Sequence, residues 1–183
     1  GQSGRMVSDL CPNIRERMDD ICLIKSLKSD DNDHDQPALA MRAVALGAGE
    51  GAPVLAAIDA RMNEVYAANY VLTAGHGALL PVSTSVEQVL PPDAVPLPEY
   101  GDAWFGVGTG FGALGGVLQS RLPSGWRAVD AEALPHAADV VRLAHAALLR
   151  GEGVAPERLE PAYLRNQVAL TLVEQQALRA SRS

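Results

Sequence analysis

Val54-Leu55-Ala56-Ala57-Ile58-Asp59-Ala60-Arg61-Met62-Asn63-Glu64-Val65-Tyr66-Ala67-Ala68-Asn69-Tyr70 reads as two strands joined by a charged turn. Five consecutive apolar residues, Val54 to Ile58, are too few for a stand-alone helix and enough for a strand covered on both faces, which places them centrally in a sheet. Asp59, Arg61, Asn63 and Glu64 then gather polar groups within six residues. An aromatic and β-branched run follows from Val65 to Val71, so a hairpin is expected. In its second strand Tyr66, Ala68 and Tyr70 share one face, and Val65, Ala67, Asn69 and Val71 share the other.

Working back from the hairpin, Pro37 suits a first helical turn, and Ala38 to Leu46 are mostly good helix formers stopped by Gly47 and Gly49. Ser29 to Asp35 is acidic with nothing apolar to bury, as in a solvated linker. Asp31, Asp33 and Asp35 alternate as a calcium loop begins. Gln36 stands where its glycine would be and Arg42 where its closing glutamate would be, so a metal is not expected. A short amphipathic helix is expected around Asn13 to Leu27. Cys11 and Cys22, without further ligands at zinc spacing, read as free thiols. Gly1 to Arg5 reads as a vector-derived leader before Met6.

Working forward, Thr73 to Gly77 reads as a turn and Ala78 to Val82 as a third strand. Ser83 to Ser85 are expected to cap a short helix through Leu90, and Pro91, Pro92, Pro96 and Pro98 to form a rigid, exposed connection. Ala103 to Val107 reads as a strand running into Gly108-Thr109-Gly110-Phe111-Gly112, with a helix from Ala113 to Gln119. Strand, glycine cluster and helix let backbone approach a phosphate or an adenosine, which makes Gly108, Gly110 and Gly112 weak ligand candidates. Ala113 occupies the position of a third Rossmann glycine, and a tight structural turn is the better expectation. Trp126 to Val129 reads as a short strand. Pro135 to Leu149 reads as a helix packed on the sheet through Val140, Leu143, Ala144, Ala147 and Leu148. Its His136 and His145 are nine apart and do not share a helical face as metal ligands would. Leu159 to Asn166 is expected to be an extended edge segment, and 167–183 a tail that frays.

The chain has 183 residues, 48% of them hydrophobic, and 22 acidic against 15 basic side chains for a formal charge of -7. That balance argues against a broad basic face for nucleic acid. No apolar run reaches the ~20 residues that span a bilayer, so a cytoplasmic protein is expected.

Ala57 to Tyr66 and, about a hundred residues later, Glu160-Pro161-Ala162-Tyr163-Leu164-Arg165-Asn166 resemble signature segments of the C-terminal half of the TsaB (YeaZ) family, with Gly106 to Gly110 between them also similar. The resemblance spans Ala38 to Asn166. It implies an α/β fold: a partial actin-like, ribonuclease-H-like lobe with a mixed sheet, an antiparallel hairpin meander and packed helices. The expected domain plan is a vector-derived remnant at 1–5, an unplaced segment with an acidic linker at 6–36, the TsaB-like lobe that the resemblance implies at 37–166 and a tail at 167–183. The family's N-terminal lobe, with its Ala-Ile-Asp-Thr-like strand and glycine-rich segment, has no counterpart in these residues.

The resemblance implies a non-catalytic scaffold in tRNA threonylcarbamoyladenosine (position 37) modification. Its implied partners are a TsaD-like catalytic subunit, a TsaE-like ATPase and a second copy of itself, with no cofactor, no direct nucleic acid contact and no membrane. Asp59, Arg61, Glu64, Tyr66, Tyr163, Arg165 and Asn166 are the family-motif residues to which an interaction role would attach. Their plainer reading is turn and edge structure, with Asp59 and Arg61 pairing across the hairpin. Glycines that would expose backbone amides beside Asp59 are replaced by Ala60 to Asn63, and the four histidines form no His-x-x-x-His pair, so older peptidase labels for the family find no support here. Two alternatives stay open: a nucleotide-binding or ATPase-like remnant of the actin-like fold, and a truncated or rearranged paralogue without the scaffold role.

Overall fold

A computed structural model describes residues 36–97, 103–122, 125–154 and 164. The expectations for Cys11, Cys22, the Asn13 to Leu27 helix, the acidic linker, Leu159 to Pro161, Tyr163, Arg165, Asn166 and the tail lie outside these residues.

The described part is α/β, built on a mixed six-stranded sheet. Gln36–Ala40 forms α1, wholly buried, and Met41–Leu46 extends it as a 3-10 segment. Gly47 ends the run at φ +92°, donating its amide to the Val44 carbonyl at 3.0 Å, a left-handed cap that glycine adopts without a Cβ penalty. The sheet comprises β1 (Pro53–Arg61), β2 (Glu64–Gly75), β3 (Ala78–Ser83), β4 (Gln88–Leu90), β5 (Phe105–Val107) and β6 (Ala128–Asp130). Its order is β3-β2-β1-β5-β6, with β4 also on β2. The β1–β2 and β2–β3 pairs are antiparallel, whereas β1–β5 and β5–β6 are parallel.

The central strand is buried on both faces, as its apolar run requires. Val54 and Ala56 share a core with Ala68, Tyr70, Leu72, Phe105 and Val107 beneath Leu39, Ala40 and Ala43. Leu55 and Ala57 join Val65 and Ala67 on the opposite face, under Phe111, Leu118 and Val95. The alternation expected along β2 is therefore the alternation observed.

Several expectations are corrected. The turn after β2 is only His76-Gly77, both at positive φ, because β2 pairs with β3 as far as Gly75 and Ala78. Leu90 ends a strand, not a helix: Gln88 to Leu90 pair with Ala67 to Val65, since β2 has an open edge whose backbone groups need partners. The proline connection is not uniformly exposed. Pro92 and Val95 are buried, and the Arg121 guanidinium donates to both of their carbonyls at 2.7 Å. Instead of one helix over Ala113 to Gln119, a 3-10 turn at Ala113–Gly115 breaks at left-handed Leu114 before α2 (Val117–Ser120).

Helix α3 (Ala137–Leu149) packs on α1. Its buried Asp139 lies 2.6 Å from Arg142 on α3 and 3.5 Å from Arg42 on the 3-10 segment, so one carboxylate ties the helix to the layer below. Asp139→Ala is expected to lower unfolding stability by about 2 kcal/mol, a value kept modest because Arg142 is half exposed. Urea denaturation with an unchanged slope checks it.

Candidate functional site

The β1–β2 hairpin reverses through Met62-Asn63, with Arg61 paired to Glu64 and the register slipping between Asp59 and Arg61. Met62 and Asn63 have φ of +55° and +64°, the signature of a type I′ turn that follows the natural twist of a hairpin. Arg61 is also left-handed at +62°. Asn tolerates this region, but each other side chain there costs about 1–2 kcal/mol.

Asp59 organises this end of β1. Its carboxylate accepts the Arg61 amide at 2.8 Å and lies 3.6 Å from the Arg61 guanidinium, so the two residues do pair, but along the end of β1 rather than across the turn, where Arg61 faces Glu64. With Arg61's side chain 86% exposed, the ion pair contributes less than about 1 kcal/mol. The Asp59 amide donates to the Thr109 hydroxyl at 3.0 Å, joining the hairpin to the glycine loop fifty residues away.

That loop sits against β1. A Cβ on Gly108 would come 2.2 Å from the Ala57 carbonyl oxygen and 2.5 Å from Leu39, and one on Gly110 would come 2.8 Å from the Ala57 side chain. The glycine space at these two positions is thus filled by the protein's own core. Gly112 is the exception, with its nearest atoms at 3.8 and 3.9 Å. The loop is further held by the Gly108 amide on the Asp130 carbonyl at 2.9 Å.

Between hairpin and loop lies a cleft of 220 Å³ lined by Asp59, Arg61, Met62, Asn63, Glu64, Ala113 and Leu114. It brings together three of the residues expected from sequence, Asp59, Arg61 and Glu64. Tyr66 lies further down β2, opposite Ile58, where its carbonyl accepts from the Gln36 amide group at 2.9 Å. Tyr163, Arg165 and Asn166 are outside the described residues. Sequence reasoning missed Thr109, whose only signal was a hydroxyl between two glycines after a strand, and Leu114, whose φ of +49° has no local signature.

The cleft presents two carboxylates and one guanidinium, while the amides of Asp59 and Arg61 are engaged by Thr109 and by Asp59 itself. Its chemistry is that of a mixed-charge surface more than of an amide cradle for phosphate. Among the described residues no group of three His, Cys, Asp or Glu side chains could hold a metal ion, and no helix is long and apolar enough to cross a membrane.

No family model matches the chain. Among curated proteins it is 39% identical over 122 residues to the tRNA threonylcarbamoyladenosine biosynthesis protein TsaB of Escherichia coli (strain K12), covering 63% of this chain and 49% of that protein. It is 34% identical over 119 residues to the protein of the same name from Haemophilus influenzae, covering 63% and 48%. Among solved structures, YeaZ from Pseudomonas aeruginosa is 42% identical with a TM-score of 0.57, over 72% of this chain and 57% of that one. An uncharacterized protein with similarity to peptidase YEAZ, also from Pseudomonas aeruginosa, gives the same identity and TM-score over 73% and 57%. The chain spans about half the length of the curated relatives it matches. It is accordingly a partial TsaB-like chain, whose described part is an α/β lobe of the ribonuclease-H-like, actin-like kind.

Proposed function

We propose that the chain acts in tRNA threonylcarbamoyladenosine biosynthesis as a non-catalytic, cytoplasmic partner subunit that binds a TsaD-like catalytic subunit or a second copy of itself. The observation that carries this reading is the 39% identity to a protein named for that pathway, over a stretch that makes up 63% of the chain. In this reading residues 37–166 are the TsaB-like lobe, and Asp59, Arg61 and Glu64 serve recognition rather than catalysis. The self-packed Gly108 and Gly110 and the engaged amides at Asp59 favour it over a nucleotide-binding remnant, because a phosphate would find side-chain carboxylates where it needs amide donors.

The test is to mix the purified chain with the TsaD-type subunit of the same organism and measure complex formation by size-exclusion chromatography with light scattering. A stable heteromeric complex supports the reading. No complex, together with a thermal shift on adding ATP and magnesium, would replace it with the nucleotide-binding alternative, since a ligand stabilises only a chain that binds it.

A further inference from the structure

Helix α3 is apolar almost all round: of its 13 residues only Asp139, Arg142 and His145 are polar, and Asp139 is buried. A helix of that composition is normally enclosed on every side, but here only one side is. Ala144, Ala146 and Ala147 are buried, whereas Ala138, Val141, His145 and Leu148 stand exposed at i, i+3, i+7 and i+10 along the outer face, with Leu149 beside them. Val141, Leu148 and Leu149 are 62%, 50% and 59% exposed, so Leu148, expected to face inward, does not.

This stripe is too small to hold a separate chain. At 13 residues α3 is about 20 Å long and its face about 10 Å wide, roughly 200 Å² against the about 800 Å² per partner of a stable association. A segment of the same chain is not bound by that limit, because its linker holds it at a high effective concentration. Residues 13–27, outside the described part, lie ahead of α1, which packs on α3. They carry Ile14, Met18, Ile21 and Ile24 at i, i+4, i+7 and i+10, an apolar face of the same length as the stripe. Residues 28–35 join them to Gln36 with a reach of up to about 30 Å, further than α3 is long.

Charge selects this segment over the tail. Arg42 and Arg142 share the single carboxylate of Asp139, which leaves one positive charge in excess at the first turns of α3. The linker into α1 brings Asp30, Asp31, Asp33 and Asp35, of the opposite sign, whereas the tail sets Arg179 and Arg182 against Glu174 alone.

We infer that residues 13–27 form an amphipathic helix that docks Ile14, Met18, Ile21 and Ile24 on the outer stripe of α3, as a cap supplied by the chain itself. The cap encloses the one face of α3 that the lobe leaves open. It stands independently of the partner reading above, since α3 and not the hairpin cleft carries it.

The test places a nitroxide spin label on Cys22 of the isotope-labelled full chain, in a Cys11→Ser background, and follows the amide signals by NMR. The label should broaden Val141, His145 and Leu148 to loss of signal, and adding Ile21→Asp, which puts a charge on the docking face, should restore all three. Ile21 lies outside the lobe, so the lobe remains folded in that variant. Three results would each overturn the inference. The first is a full set of α3 signals with the label in place. The second is broadening that persists when the label is carried only by an added, isotopically silent copy, which would make the occupant a second chain. The third is broadening from a label at Ser181→Cys but not from Cys22, which would make it the tail.

Discussion

Gly108→Ala is expected to destabilise the protein by about 4 kcal/mol, combining an overpacking cost with a backbone conformation that is essentially restricted to glycine. Gly108 sits at φ +110° and ψ 165°, and the added Cβ would meet the Ala57 carbonyl oxygen at 2.2 Å and Leu39 at 2.5 Å. Neither neighbour can yield easily. Ala57 is backbone of the central strand, and Leu39 is a fully buried residue of α1. A loss of this size is a large part of the total stability of an ordinary domain, so much of the variant should be unfolded or insoluble at physiological temperature. Urea unfolding of the variant beside Gly112→Ala makes the check. Gly112 has φ -86° and room for a Cβ, so its substitution should change stability by less than about 0.5 kcal/mol. Equal effects at the two positions would mean that the close approach of the loop to β1 is not what the glycine serves.

Phe111→Ala should cost a similar amount, about 4 kcal/mol, as expected for removing a fully buried aromatic ring. Its ring meets Trp126 edge-to-face at 5.0 Å and closes the lower face of the sheet beside Leu55, Ala57 and Val65. The ring also occupies the space in which a side chain on Gly106 would have to stand, with Phe111 Cζ 2.5 Å from the position of such a Cβ. The two sites should therefore couple. Gly106→Ala alone should be strongly destabilising, but in the Phe111→Ala background its added penalty should shrink by at least about 1 kcal/mol. Four denaturation curves close that cycle, and strict additivity would refute the packing account.

The hairpin was legible because two independent periodicities agreed: an unbroken apolar run for a strand buried on both faces, and alternation for its neighbour. Asp59, Arg61 and Glu64 were legible as a charged turn for the same reason, since local sequence alone brings them together. What escaped was set by groups distant in sequence. Ser83 to Ser85 carry a helix-capping signal, yet the open edge of β2 drew the residues after them into a strand. The proline stretch is rich in turn formers, but the two carbonyl contacts from Arg121 fold it inward. Gly115 and Gly116 announce a break, but nothing local says that Leu114 will be left-handed. At the cleft, Thr109 and Leu114 were invisible because a sheet pairing across some fifty residues carries them to the hairpin.

The mixed pairing of β1 has a consequence for the order in which the chain assembles. On one side it meets β2 across a two-residue turn, and β2 meets β3 across another, so this ribbon needs only short-range closures. On the other side Val54 must find Phe105, and that parallel contact closes a loop of about fifty residues, an entropic cost met before the contact returns anything. During synthesis the ribbon can therefore form while Phe105 is still unmade, leaving the β5 edge of β1 as a template that waits for its partner. The cleft, which needs both the turn and the loop after β5, is completed only in that later step.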